Sequence, residues 1–391
     1  MDVRHIAFIS LPYAPHVNPT LPIVSTLARR GYRVTFVASE PFSRAAAEAG
    51  AQVVPCRSLV LDLAAGPDHE CDGTSPYPRQ MLQDITPFYE ANPPHLVLYD
   101  FCAPAGRVLV NQLGVPAIQT SPFYAFLDQD FAGQVKHDVF RNVLMDDAQR
   151  VGKFLGEYGI SSPNYRVDKE KLNLYLFPRA LQPRGSEFGN NCYFAGRCPG
   201  ERVARSDWED HSGDRPIALV SMTNLRSIGS SAISVPEHFF VSIDALSRLG
   251  WHIVLSLNQR CDQTSLHPLP DHCEIIHPSA FLKVLARARL LIFNSGIITT
   301  AEAAYYGVPM IAITEGHHEF EWQGDHIAEL GIGAHIRKGT MNAANLRDAA
   351  IRLSSDKATL DQVRRIKHAV RREPGAEETA NLIEEYLEAS S

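Results

Sequence analysis

The sequence predicts an α/β protein of two domains, each a Rossmann-like parallel sheet covered by helices, facing one another across a cleft. Three observations carry this. Short continuous apolar runs, the pattern of strands buried on both faces, alternate with helical segments through the first third of the chain. That alternation gives way to a polar stretch with Gly and Pro, residues 196–215, and restarts after Pro216. The chain has 391 residues, and domains of roughly 100–200 residues make that length two domains.

The N-terminal elements follow in order. Ile6–Leu11 reads as a buried strand. Pro19–Arg30 reads as a helix, opened by a proline pre-set for a first turn and stopped by Gly31. Arg33–Ser39 is the next strand, Pro41–Ala49 a helix closed by Gly50, and Gln52–Pro55 a third strand. Residues 57–76, polar with Gly, Pro and Asp, read as a loop. His95–Tyr99 is a strand ended by Asp100, Pro104–Leu113 a helix stopped by Gly114, and Val115–Gln119 a strand. Residues 125–175 are less periodic and more polar, a helical insertion of the kind that walls a substrate pocket.

Beyond the linker the strands are Ile217–Met222, His252–Leu257, Glu274–His277, Leu290–Phe293 and Val308–Thr314. The helices are Pro236–Arg248, Ala280–Ala288, Thr300–Tyr306 and Glu321–Leu330. Thr299-Thr-Ala-Glu302 fits a capping box at the head of a helix. The tail, Pro374–Ala389, is an amphipathic helix. The divisions expected are 1–200, a linker at 201–215, 216–372, and a terminal segment 373–391 that packs back on the N-terminal domain.

Composition excludes several classes. The net charge is −7 with no long basic run, which argues against nucleic acid or an anionic membrane as partner. No stretch approaches the roughly 20 apolar residues of a membrane helix, and no signal peptide is evident. The seven cysteines are scattered without C-x-x-C spacing, which points away from a zinc site or disulfide framework and towards a reducing, cytoplasmic location. The loop after the first strand contains no glycine and therefore no G-x-G-x-x-G, which excludes a nicotinamide oxidoreductase; a P-loop is also absent.

His16, in Ser10-Leu-Pro-Tyr-Ala-Pro-His-Val-Asn-Pro19, is the residue that carries most information. It follows a strand of a parallel sheet, where open α/β proteins place their chemistry, and an imidazole there can take a proton near neutral pH. Taken alone it reads equally as a loop histidine, and Asp100 alone as the N-cap of the helix that follows. Both follow apolar runs of one sheet, so their side chains can meet at its C-terminal edge.

The chain resembles a known family through an ordered set of segments: His16-Val-Asn-Pro-Thr-Leu21, Leu-Ala-Arg-Arg-Gly-Tyr-Arg-Val-Thr-Phe36, Leu-Val-Leu-Tyr-Asp100, Leu-Gly-Val-Pro116, Thr-Ala-Glu302-Ala-Ala-Tyr-Tyr-Gly-Val-Pro309 and Ala-Glu-Leu-Gly-Ile-Gly333. Together these are similar to the family 1 glycosyltransferases, and within them to the macrolide-type bacterial enzymes of natural-product biosynthesis. The resemblance implies a GT-B fold, an acceptor-binding N-terminal domain, and a C-terminal domain for a nucleotide-diphosphate sugar. It also implies inversion at the anomeric carbon without metal or cofactor. His16 matches the family's general base and Asp100 the carboxylate that orients it. The implied partners are a small-molecule acceptor and the nucleotide sugar, with the chain a monomer or homodimer.

The donor side departs from the family pattern. Asn294-Ser295-Gly296 stands where His-Gly-Gly is usual, and an Asn donates a hydrogen bond but carries no charge. Ile297 and Ile298 follow, and Thr299, Thr300 and Glu302 agree with the family. Phe281 aligns with the Gln that contacts the base, Glu319-Phe320 with the pair that holds sugar hydroxyls, Thr223-Asn224 with the Gly-Thr/Ser after the first C-terminal strand, and Pro15 with the glycine before the base. Each lost contact is a hydrogen bond worth about 0.5–3 kcal/mol. His277, His317, His318 and Arg226 could replace charge there, or be solvated loop residues. Tyr13, Phe123, Tyr124 and Phe126 are candidates for lining the acceptor pocket, with core packing as the other reading of the aromatics at 123–126. The alternative function is a homologue that has lost donor chemistry. It would either use His16 and Asp100 for isomerisation, cyclisation or elimination, or serve as a non-catalytic pathway partner.

Overall fold

A computed structural model describes residues 3–57, 77–127, 135, 138–162, 165, 169–196, 207–221, 237–257, 263–314, 316 and 318–390. The chain divides into two compact units, Met1–Cys198 with Glu373–Ser391, and Pro199–Arg372. Among the described residues the first unit holds a seven-stranded parallel sheet in the order β3-β2-β1-β4-β5-β6-β7. Its strands are β1 (His5–Ile9), β2 (Arg33–Ala38), β3 (Gln52–Pro55), β4 (Leu96–Asp100), β5 (Ala117–Ser121), β6 (Asn173–Tyr175) and β7 (Cys192–Phe194). β1 and β4 are buried along their whole length because helices cover both faces. Ile6 and Phe8 belong to one core with the helix Leu21–Arg29, while Ala7 and Ile9 belong to another with the helices Tyr77–Ala91 and Pro104–Leu113.

The strand order reverses between β1 and β4, which pair directly with Ile9 opposite Tyr99. In open α/β sheets that reversal opens a crevice at the carboxyl edge. His16 follows β1 and Asp100 ends β4, so the reversal brings together two residues 84 positions apart.

The second unit repeats the scheme in the order β10-β9-β8-β11-β12-β13, with β8 (Ile217–Ser221), β9 (His252–Ser256), β10 (Cys273–Ile276), β11 (Leu290–Phe293), β12 (Met310–Thr314) and β13 (Gly333–Arg337). The helix Gly375–Ala389 joins the first unit. Ala380, Ile383 and Leu387 are buried in its core, each large side chain contributing about 1.5–3 kcal/mol. Arg30 pairs with Glu377 at 2.8 Å and Glu384 at 2.7 Å at the surface of the same contact.

Several local expectations are corrected. Residues 14–17 are not loop: Ala14–Val17 is a helical turn with Pro15 in its first positions and His16 in its last. The following helix starts at Leu21 rather than Pro19, because Thr20 takes the N-cap position and turns its hydroxyl onto the Val17 carbonyl at 2.8 Å. The Thr299–Glu302 capping box does not form. The helix begins at Ile297, with Gly296 as N-cap, and Thr299 and Glu302 lie buried inside it. Asp100 is not an N-cap either, since Ala103 occupies that position for the helix Pro104–Leu113.

The helix Tyr77–Ala91 is absent from the sequence reading because Pro87 interrupts its pattern. Its buried Tyr77, Met81, Leu82, Ile85 and Tyr89 nevertheless keep helical spacing. β6, β7 and β13 and the helices Ala343–Ser355 and Lys357–Arg371 are also additions. Within the polar insertion a helix spans Asp138–Gly156. The loop expected at 57–76 lies outside the described residues apart from Arg57.

Candidate active site

The site is built from three segments at the carboxyl edge of the first sheet. After β1 the chain passes buried Leu11 and enters the turn Ala14–Val17. The Tyr13 carbonyl accepts from the His16 and Val17 amides at 2.9 and 3.0 Å, and fully buried Val17 anchors the turn. This directs the His16 ring back to the sheet. Its Nδ1 lies 2.8 Å from Oδ2 of Asp100. The other carboxylate oxygen of Asp100 accepts from the Cys102 backbone N–H at 2.7 Å.

Asp100 is 1% exposed, and a buried charge of this kind persists only when its oxygens are paired and hydrogen-bonded. Both are. An ionised carboxylate can only accept, which assigns the proton of the imidazole to Nδ1 and leaves the lone pair on Nε2. The His16 side chain is 13% exposed, so the ring keeps access to solvent.

Packing below holds the carboxylate in place. A Cβ at Gly106 would stand 2.5 Å from Cβ of Tyr99, so glycine is what allows the helix Pro104–Leu113 to press against the end of β4. Tyr99 donates to Oε1 of Glu170 at 2.6 Å, and burial raises its phenol well above the ordinary tyrosine range, keeping it a neutral donor.

Aromatic rings surround the imidazole. Tyr13 lies 6.3 Å from the His16 ring and Phe101 6.2 Å from it at 26°. Phe101 in turn stacks on Phe123 at 6.5 Å. Tyr124 and Phe126 are each 3% exposed and pack behind Phe123. They brace the wall rather than surface it. Phe101 was not singled out from the sequence; its place directly after Asp100 was the available signal.

His16, Asp100 and Cys102 have ligand-type atoms within 4.8 Å of one another. Both oxygens of Asp100 are engaged by hydrogen bonds, one with the His16 ring and one with the Cys102 amide.

In the second unit Asn294, Ser295 and Gly296 follow β11 directly and lead into the helix Ile297–Tyr306. Ser295 has φ of +61°, an uncommon left-handed conformation for a residue with a side chain. Its buried hydroxyl lies 2.7 Å from the carbonyl oxygens of both Asn294 and Phe320. The structure therefore brings together two segments that the sequence reading linked to the donor. Thr300 returns its hydroxyl to the Gly296 carbonyl at 3.1 Å.

Glu319 and Phe320 lie in the first turn of the helix His318–Glu329 rather than ahead of a helix starting at 321. Glu319 accepts from Gln323 at 2.8 Å. Phe281 opens the helix Phe281–Leu285, and His277 lies 2.8 Å from the Ser279 hydroxyl. Thr223, Asn224, Arg226 and His317 lie outside the described residues.

The sequence reading passed over Glu321. Its Oε1 accepts from the Thr314 hydroxyl at 2.6 Å and the Gly316 amide at 3.2 Å, and Arg337 pairs with its other oxygen at 3.0 Å. It thereby ties the end of β12 to the helix that carries Glu319 and Phe320.

Residues 241–386 match the family model described as erythromycin biosynthesis protein CIII-like, C-terminal domain. The chain is 27% identical to an NDP-glycosyltransferase of Bacillus licheniformis over 99% of this chain and 98% of that one. It is 28% identical to the oleandomycin glycosyltransferase of Streptomyces antibioticus over 98% and 91%. The solved calicheamicin glycosyltransferase superposes with a TM-score of 0.82 at 27% identity, covering 99% of both chains. No described helix is long and apolar enough to cross a membrane. With its two parallel-sheet units, the chain is similar in sequence and fold to glycosyltransferases of GT-B fold, macrolide-type enzymes among them.

Proposed function

We propose that this protein is an inverting glycosyltransferase that moves a sugar from a nucleoside-diphosphate donor to a hydroxyl, or an amine, of a small natural product. His16 is the general base, Asp100 orients it, and no metal or cofactor takes part. The observation that carries this reading is the 2.8 Å contact between His16 Nδ1 and Asp100 Oδ2, which leaves Nε2 as the basic atom.

A hydroxyl is a poor nucleophile until its proton is leaving. As the acceptor oxygen bonds to the anomeric carbon, its proton passes to Nε2 of His16. The bond from that carbon to the diphosphate oxygen breaks, and its electron pair leaves with the diphosphate. Attack opposite the leaving group inverts the centre. The imidazolium so formed is stabilised by Asp100, the logic of a hydrolase triad with the acceptor in place of serine. A positioned base contributes about 10²–10⁴-fold.

The donor contacts fall to Asn294, Ser295 and Gly296 at the N-terminus of the helix Ile297–Tyr306, with Thr299 and Glu302 behind them. A helix start favours a diphosphate. Phe281 would meet the nucleobase, Glu319 and Phe320 the sugar, and Thr223 and Asn224 the phosphates. The glycosyltransferase relatives that cover the whole chain support sugar transfer over the acid/base alternative.

A thermal-shift screen with UDP, TDP, GDP and their sugars tests the donor half, because a ligand of the native state raises stability by mass action. At least one nucleotide should raise the melting temperature. The variant His16→Ala should keep that shift while losing about 10² or more in turnover. A chain that no nucleotide stabilises, or a His16→Ala protein as active as the parent, would overturn the proposal.

A further inference from the structure

We infer that His335 is a positioning residue for the donor: held as an imidazolium between Thr314 and Asp325, it locks the carboxylate of Glu321 onto the turn between β12 and the helix His318–Glu329. This deepens the proposed function and rests on its assignment of sugar contacts to Glu319 and Phe320 at the head of that helix.

Strand alternation sets the ring on its face. Ala334 and Ile336 enter an apolar core with Leu346, Ala349 and Leu353 of the helix Ala343–Ser355. His335 and Arg337 therefore point to the opposite face of β13. The ring lies against the helix His318–Glu329, where a Cβ at Gly324 would stand 2.7 Å from its Cδ2. The side chain is 3% exposed.

Counting protons fixes its charge. Nδ1 lies 2.9 Å from Oδ1 of Asp325, which also accepts from Arg337 at 2.6 Å. A carboxylate so paired is ionised and only accepts, so Nδ1 carries a proton. Nε2 lies 2.7 Å from the Thr314 hydroxyl. That hydroxyl has one proton and gives it to Oε1 of Glu321 at 2.6 Å. Glu321 is kept ionised by Arg337 at 3.0 Å and by the Gly316 amide at 3.2 Å. Thr314 therefore accepts from Nε2, which carries the second proton.

Among the described residues the charged groups around the ring are Asp325, Glu321, whose Oε2 lies 3.5 Å from Nε2, and Arg337. β12 offers the uncharged Thr314, and the helix on the far face offers apolar side chains. Two cations and two carboxylates thus close one network, the condition under which charges persist in a buried place.

Loss of the second proton has a defined consequence. Nδ1 keeps its proton for Asp325, and the single proton of Thr314 must then serve either Nε2 or Glu321. Serving Nε2 releases Glu321 from the end of β12. Serving Glu321 sets two lone pairs against each other at Nε2. On its other side the helix head is held by the Ser295 hydroxyl at the Phe320 carbonyl. A neutral His335 therefore loosens one of the two clamps on the segment that carries Glu319 and Phe320.

Long-range proton–nitrogen correlation spectra of the full chain, with the His335 signals identified by their loss in His335→Gln, should show both ring nitrogens protonated near neutral pH. Raising the pH then gives a titration midpoint. With the UDP-, TDP- or GDP-sugar that the thermal-shift screen selects, donor KM should rise about tenfold across that midpoint, the share of one charge-assisted hydrogen bond. Donor KM is the quantity read because kcat carries the protonation of His16. Asp325→Asn, at a half-exposed position, removes one carboxylate and should move both midpoints to lower pH together. Should His335→Gln not fold, that shift identifies the signals. One unprotonated ring nitrogen near neutral pH, or a donor-KM midpoint that stays put in Asp325→Asn, would overturn the inference. A chain that turns over no sugar fails the proposed function instead. The ring signals and the hydrogen exchange of the Gly316 amide, expected about tenfold faster in His335→Gln, then decide this inference separately.

Discussion

Asp100 holds His16 by one ring nitrogen: Oδ2 meets Nδ1 at 2.8 Å, and Oδ1 is pinned by the Cys102 amide at 2.7 Å. The carboxylate therefore cannot rotate without breaking a backbone contact, and the imidazole tautomer follows from it. Asp100→Asn keeps the shape but can offer an N–H to Nδ1, which moves the ring proton to Nε2 and removes the base. Turnover should fall by about 10²–10⁴-fold. Steady-state rates with a fixed acceptor, beside a melting curve close to the parent's, check this. Unchanged turnover would mean that the pair is structural only.

Gly106→Ala tests the seat of that carboxylate. The added Cβ would stand 2.5 Å from Cβ of Tyr99 and 3.4 Å from Cγ2 of Ile9, so the helix must move off β4. The expected destabilisation is about 1–3 kcal/mol by urea unfolding. Turnover should fall as well, because moving the helix off β4 displaces Asp100 at the end of that strand. A fully stable and fully active alanine variant would show that the end of β4 is not set by this contact.

Ser295 separates backbone strain from hydrogen bonding. Glycine relieves the cost of φ at +61° but loses the hydroxyl that lies 2.7 Å from the Phe320 carbonyl. Alanine loses the hydroxyl and keeps the strain. Ser295→Ala should therefore be destabilised by about 1–3 kcal/mol, and Ser295→Gly by less. Chemical denaturation ranks the two; the reverse order would remove strain from the account of this loop.

His238 gives the second unit a pH dependence. Burial lowers its pKa from 6.5 to about 4, and its Nε2 has no hydrogen-bond partner among the described residues. The folded state therefore holds this imidazole neutral while the unfolded state protonates it. Its contribution is fully present above pH 6.5 and is lost as the pH falls towards 4. The loss amounts to about 3 kcal/mol. His238→Phe, which keeps a ring against Phe239, should lose stability less steeply over that window than the parent. Parallel slopes for the two proteins in denaturant melts would refute it.

The C-terminal helix distinguishes burial from surface charge. Ile383 is fully buried, whereas Arg30 and its partner Glu377 are partly exposed. Ile383→Ala should cost about 2–5 kcal/mol and Arg30→Ala no more than about 1. Urea midpoints compare them, and a larger effect from Arg30 would mean that the ion-pair network holds the helix.

What the sequence determined by itself was the α/β class, most strands of both sheets, and the pairing of His16 with Asp100 as candidates. The physical reason is that a strand buried on both faces must be a continuous apolar run, and a residue that ends such a run must lie at a sheet edge. Local chemistry misled where it had rivals. Pro87 hides a helix whose apolar spacing is intact, Pro19 suggests a helix start whose N-cap is Thr20, and Thr299 suggests a cap where Gly296 stands.

Only the tertiary structure decided which side chains meet. The reversal of strand order between β1 and β4 closes the 84-residue gap between His16 and Asp100. Close packing at Gly106 fixes where the carboxylate stands, and the Ser295 hydroxyl ties the loop after β11 to Phe320. The ring contacts of Phe101 with His16 and Phe123 belong to the same class. Such contacts depend on register and crossover, which act between distant segments and leave no periodic trace in the chain.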